Sequence, residues 1–66
     1  MITICMTNGG AYSSVSSING RNVSELKPEI ITEILENDKF ISIIHSSEDE
    51  HSILRVLCIS SINLAE

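Results

Sequence analysis

The stretch from residue 26 to residue 37, LKPEIITEILEN, decides the fold because the periodicity of the chain changes there. Pro28 lacks an amide hydrogen and disfavours helical geometry at Lys27, so the sequence predicts a regular helix that begins at Pro28. Residues 24–27 are then a lead-in turn, and Asn37 is expected to be a left-handed cap. The large aliphatic side chains fall on one stripe of this helix, namely Leu26, Ile30, Ile31, Ile34 and Leu35.

Before the helix, the chain alternates with the period of two that is typical of strands. Residues 1–7 predict a half-buried strand, and the serine-rich residues 11–18 predict a weak strand at the edge of a sheet. The pairs Asn8-Gly9 and Asn19-Gly20 predict tight turns with positive φ. Two strands joined by a tight turn are therefore expected ahead of the helix.

After the helix, residues 39–46 are rich in isoleucine and predict a strand that is buried on both faces or nearly so. The acidic residues 47–50 predict a solvated hairpin tip. Residues 52–60 predict a further strand, in which Arg55 is the odd member of an apolar face. The alternation of Ile62 and Leu64 in the tail, residues 61–66, is compatible with a short last strand after a bend.

The order strand, strand, helix, strand, strand, with a possible short fifth strand, predicts an α+β fold. We expect a small, mostly antiparallel sheet covered by one amphipathic helix, in a single domain over residues 1–66. A small, strongly bent barrel is the alternative.

The small size of the chain predicts self-association. A chain of 66 residues and 7.2 kDa can build only a marginal core of its own. Its two cysteines cannot form a disulfide framework, and no Cys/His spacing is typical of a zinc site. Partner subunits are the remaining source of stability, so we predict a homo-oligomer.

The charge and the hydropathy of the chain argue against two classes of partner, nucleic acids and membranes. The net charge is −5, and the four Lys and Arg residues are scattered singly, so the sequence argues against binding a DNA or RNA duplex. The apolar runs are too short for a membrane span or a signal peptide. We therefore expect a cytoplasmic protein without a membrane partner.

Few residues are arranged in a pattern typical of a reactive site, and the sequence predicts no enzyme, no metal site and no cofactor. Residues 45–51 contain two histidines and three acids, but strand alternation sends neighbouring side chains to opposite faces, whereas a closed metal site needs four convergent ligands. Cys5 and Cys58 are interpreted as small hydrophobic residues rather than nucleophiles. No catalytic residue is predicted.

Several segments, taken together, resemble a known group of proteins. Ile2-Thr3-Ile4 leads into Thr7-Asn8-Gly9, Tyr12 follows shortly after, and the helix is followed by Phe40-Ile41 and a closing Ile62-Asn63-Leu64-Ala65-Glu66. This combination resembles the short uncharacterised proteins encoded by phages and mobile elements of Gram-positive bacteria. The resemblance implies an accessory viral protein of the conflict between host and phage, an inhibitor or a sequestering protein. It transfers no functional residues.

Two hypotheses for function follow. In the first, an oligomer antagonises host defence by sequestering a small nucleotide signal between its subunits; the expected ligand-binding residues are Tyr12, Asn19, Arg21 and Arg55. Tyr12 would stack on a base, and an arginine would pair with phosphate. In the second, the protein inhibits a host protein by docking an exposed strand edge or an acidic helix face, which consists of Glu25, Glu29, Glu33 and Glu36.

Overall fold

The computed structural model describes residues 1–65 and confirms the predicted α+β class. Over these residues the chain forms one helix and seven strands. The helix is α1 (Pro28–Asn37), and the strands are β1 (Ile2–Met6), β2 (Ala11–Val15), β3 (Ser17–Ile18), β4 (Arg21–Asn22), β5 (Phe40–His45), β6 (Glu50–Arg55) and β7 (Ile59–Leu64). They form two antiparallel sheets, in the orders β2-β1-β7 and β4-β3-β5-β6, and no closed barrel.

The helix begins at Pro28, as the proline predicts, and it is preceded by a 3-10 turn at Val23–Glu25. Leu26 and Ile31 are buried in the core, and the other three members of the stripe pack against it. The predicted left-handed cap at Asn37 is wrong. The helix includes Asn37, whose side-chain amide donates a 2.8 Å hydrogen bond to the Glu33 carbonyl, and Asp38 continues in an extended conformation. The chain enters β5 directly and needs no left-handed residue.

The first sheet is built around β1, which lies between β2 and β7. Ile2 and Ile4 of β1 are buried, so they form the centre of the core. The turn after β1 uses Gly9 at φ 93°, and Met6 and Gly10 close it with a 2.8 Å backbone hydrogen bond. The predicted fifth strand is present as β7 and begins earlier, at Ile59; Glu66 lies outside the described residues.

The single strand predicted over residues 11–18 is wrong, because the chain changes sheets at Ser16. Ser14 has a φ of 53°, and the Ser16 amide donates a 2.8 Å hydrogen bond to the Ile44 carbonyl of β5. β2 therefore pairs with β1, while β3 pairs with β5 in the other sheet. The turn predicted at Asn19-Gly20 joins β3 to β4 with positive φ at both residues.

Two predictions about the second half of the chain are also wrong. β5 is buried on one face only: Ile41, Ile43 and His45 point inward, whereas Phe40 is 53% exposed. The strand predicted over residues 52–60 is interrupted by a 3-10 turn at Val56–Cys58, which carries the chain from the second sheet to the first. Val56 donates to the Lys39 carbonyl in one sheet, and the Cys58 carbonyl accepts from Thr7 in the other.

The core is small and almost entirely aliphatic. It lies between the helix and the inner faces of the two sheets and consists of Ile2, Ile4, Val15, Ile18, Leu26, Ile31, Ile41, Ile43 and Leu54. A core of this size agrees with the marginal stability that the chain length predicts.

Candidate binding surface

The side chain of Asn19 connects separate elements of the fold through hydrogen bonds. Its side-chain amide donates to Oδ2 of Asp38 at 2.9 Å, and its side-chain oxygen accepts from the Ser42 amide at 2.9 Å. The turn after β3, the end of the helix and β5 are thereby held together. Both polar ends of Asn19 are already engaged, so this residue has little capacity left for a ligand.

Arg21 lies on the short strand β4 and is exposed. It lines a groove of about 190 Å³ together with Glu33 and Asp38. The two carboxylates beside the guanidinium disfavour a further negative charge in this groove. The surroundings of Arg21 therefore fit a cation or an amide better than a phosphate.

Tyr12 is half-buried and packs edge-to-face on His45, with ring centroids 4.9 Å apart and an interplanar angle of 79°. Nε2 of His45 lies 2.8 Å from the Ser52 hydroxyl. This cluster is at the His45 end of β5, roughly 17 Å from Phe40 at the other end, given about 3.3 Å per residue of strand. Tyr12 is thus separated from Arg55, which pairs with Phe40.

Arg55 lies on the outer face of β6. Its guanidinium carbon is 5.6 Å from the centroid of the Phe40 ring, a cation–π contact across the β5–β6 pair. The two residues line a groove of about 460 Å³, whose other lining residues are Leu35, Asp38, Lys39, Val56 and Leu57. This groove brings two cations and an aromatic ring onto one largely apolar surface.

Large apolar side chains continue from this groove across the outer face of β6. Phe40 is 53% exposed, Ile53 is 75% exposed and Leu57 is 87% exposed. We call Phe40, Ile53, Arg55 and Leu57 the outer patch. Exposed large apolar residues that cluster on one surface commonly mark an interaction site.

Sequence reasoning assigned Arg55 to an apolar face and missed the other three members of the outer patch. A signal was present, since an arginine in the same alternating row as Ile53 and Leu57 is typical of a solvent-facing row. The two predicted basic ligands, Arg21 and Arg55, line different grooves, and Asp38 borders both. The structure therefore does not bring the four predicted ligand-binding residues together in one chain.

The acidic residues of the second hypothesis are all exposed. Glu29, Glu33 and Glu36 follow one another at helical spacing on α1, whereas Glu25 precedes the helix in the 3-10 turn. The helix therefore presents a band of three carboxylates, with the fourth beside its first turn.

The other titratable residues form no further site in the part of the chain that the structure describes. In residues 1–65, no three His, Cys, Asp or Glu side chains are arranged to hold a metal ion. Cys5 and Cys58 are free thiols, and Cys5 accepts a 3.7 Å contact from the Asn63 amide. No helix among these residues is long and apolar enough to cross a membrane.

Comparisons of the chain with protein-family models, with curated proteins and with solved structures find no match.

Proposed function

We propose that this protein is a non-enzymatic, cytoplasmic binding protein that forms a homo-oligomer and sequesters a small anionic ligand of the nucleotide class. The groove beside Arg55 is its binding site. The observation that carries the proposal is the contact of the Arg55 guanidinium with the exposed Phe40 ring, next to Lys39, in one apolar groove.

The chemistry of this groove suits a ligand with a flat ring and a phosphate. Arg55 can pair with two phosphate oxygens at once and, together with Phe40, offers a flat surface to a base. Lys39 adds a second positive charge, and Leu57 an apolar wall. Asp38 also borders this groove, but here two cations, Arg55 and Lys39, face a single carboxylate, whereas in the Arg21 groove one cation faces two.

The oligomeric part of the proposal rests on the size of the core and on the outer patch. A groove that is open on one copy becomes a pocket when another copy covers its rim. The antagonism of host defence follows from the resemblance to short phage proteins and from the absence of any predicted catalytic residue. Sequestration requires only affinity and a sufficient number of copies.

Calorimetric titration of the full chain tests the binding site. The probes are a cyclic dinucleotide, ADP and inorganic phosphate, each at fixed ionic strength. We expect Arg55→Ala to weaken the binding of the tightest of these three probes about tenfold, because the variant loses one charge-assisted hydrogen-bonding group.

Arg21→Ala is the matched control, because it removes the same charge from a different groove, and it should leave that affinity within about twofold. Equal loss in both variants would show that net charge alone governs binding. Absence of heat with all three probes would refute the nucleotide class.

A second candidate function is docking on a basic protein, and the exposure of Glu29, Glu33 and Glu36 along one helix favours it. A lysine-rich peptide is the probe. Replacing these three glutamates by glutamine should abolish salt-sensitive binding of the peptide, whereas Arg55→Ala should not. Binding that persists in the triple variant would exclude the acidic face.

A further inference from the structure

The strand β6 has a free edge that is ready for pairing. It is the outermost strand of its sheet over residues 1–65, and its six pairs with β5 show no shift of register. The Val56 amide donates to the Lys39 carbonyl, which places the even-numbered residues toward β5. Because alternate residues of a strand direct their backbone groups to opposite sides, the N–H and C=O groups of His51, Ile53 and Arg55 point away from β5.

The other strands at the edges of the two sheets are less suited to pairing with another chain. β4 has two residues, and β7 pairs with β1 through a shift of register. β2 contains Ser14 at φ 53°, and the Ser13 carbonyl already accepts a hydrogen bond from Ser46. By contrast, β6 pairs with β5 in one register over six residues and carries the exposed Ile53 near its centre. It contains neither the lysine nor the proline that natural sheets place on edge strands to prevent pairing.

We propose that a second copy of this chain pairs with β6 along this edge, antiparallel and about a two-fold axis through Ile53. A two-fold axis through residue 53 places His51 of each copy opposite Arg55 of the other. All three outward-pointing residues of each strand then have a partner, which gives six backbone hydrogen bonds. Registers centred on residue 52 or 54 would instead leave outward-pointing N–H and C=O groups at one end of the strand without a partner. The register is thus set by the symmetry of residues 51–55 about Ile53.

A specific interface at the small end of the usual range takes about 600 Å² from each partner, so a dimer of this kind covers side chains of the outer patch as well as the strand edge. Pairing brings the two Ile53 side chains, each 75% exposed, into direct contact on the outer face. Cross-strand pairs of β-branched residues stabilise sheets, so the most exposed residue of β6 gains a partner of the preferred kind.

The pairing also completes the groove. His51 of the second copy lies opposite Arg55 and adds an imidazole to the side of the groove that one copy leaves open. Two equivalent ligand sites result, each with residues from both copies. This consequence rests on the proposed function, whereas the pairing itself does not.

Sedimentation equilibrium of the full chain tests the pairing. We expect the parent protein to have twice the 7.2 kDa mass of one chain, and Ile53→Lys to reduce it to 7.2 kDa, because two lysines would face each other at the axis. Ser42→Lys is the matched control: Ser42 is exposed and lies opposite Ile53 on the same face, one strand away from the edge. It should leave the dimer intact.

A disulfide tests the register. In a background with Cys58→Ser, the exposed native thiol is removed, and Ile53→Cys places two thiols across the axis at about 5.5 Å between Cα atoms, within reach of a disulfide. Mild oxidation should link Ile53→Cys quantitatively and leave Ser42→Cys as separate chains.

Three results would overturn the pairing: a parent that is monomeric at millimolar concentration, an oligomer that survives Ile53→Lys, or equal cross-linking of the two cysteine variants. Circular dichroism of Ile53→Lys confirms that its fold is retained, as its exposure predicts. None of these readouts depends on a nucleotide, so failure of the pairing and failure of the ligand site are separable.

Discussion

Shortening the side chain of Ile4 should be the most damaging conservative change in this protein. Ile4 is 0% exposed and lies on the central strand of the first sheet, paired with Tyr12 on one side and Ile62 on the other. Removal of one buried methyl group in Ile4→Val is expected to cost about 1 kcal/mol, and Ile4→Ala about 3–4 kcal/mol, because rigid neighbours leave a cavity. A domain of this size holds only roughly 3–5 kcal/mol in total.

Urea and thermal denaturation, both followed by circular dichroism, measure the two losses. Several protein concentrations are used so that dissociation of copies is separated from unfolding. The valine variant should melt about 4–8 °C below the parent, and the alanine variant should be largely unfolded at 25 °C. Ile53→Val makes the same chemical change at a side chain that is 75% exposed on one copy, so at dilutions where the copies are separated it should stay within about 0.5 kcal/mol of the parent. If Ile4→Val were as stable as Ile53→Val, the core would be wrongly assigned.

Three further changes test the turn and the helix. Asn19→Ala should lower the free energy of unfolding by about 2 kcal/mol, because it removes the hydrogen bonds to Asp38 and Ser42; a loss below about 0.5 kcal/mol in urea would contradict this. Gly20→Ala should cost about 1–2 kcal/mol, since Gly20 has a φ of 81°, and an unchanged melting temperature would argue against the turn geometry. Ile34→Asp places an unpaired charge against the core and should cost more than about 2 kcal/mol; native-like circular dichroism on heating would show that the helix stripe is misplaced.

The parts of the fold that local chemistry determines were predictable. Pro28 sets the start of the helix through its own backbone, and Asn19-Gly20 sets a turn through the conformations open to those two residues. The break at Ser16 was not predictable in this way. Serine is compatible with a strand, and the chain leaves the first sheet there because Ile44, distant in sequence, accepts the Ser16 amide.

The candidate binding surface was likewise predictable only in part. Alternation placed Arg55, Ile53 and Leu57 in one row, which the structure confirms for the first two on β6, but the pattern alone does not say which row faces the core. That choice depends on where the helix and the first sheet pack. Tyr12 was grouped with the arginines by residue type, and only the packing of β2 of one sheet beside β5 of the other shows that it belongs with His45.

The position of β1 between β2 and β7 has a kinetic consequence. Ile2 pairs with Leu64, so the first sheet joins strands that lie almost the whole sequence apart. A nascent chain cannot complete that sheet until its last strand has left the ribosome, whereas the hairpin of β5 and β6 can close from neighbouring residues. We therefore expect slow folding for so short a chain, with β6 formed early and able to meet its counterpart on another newly made molecule before the first sheet is finished.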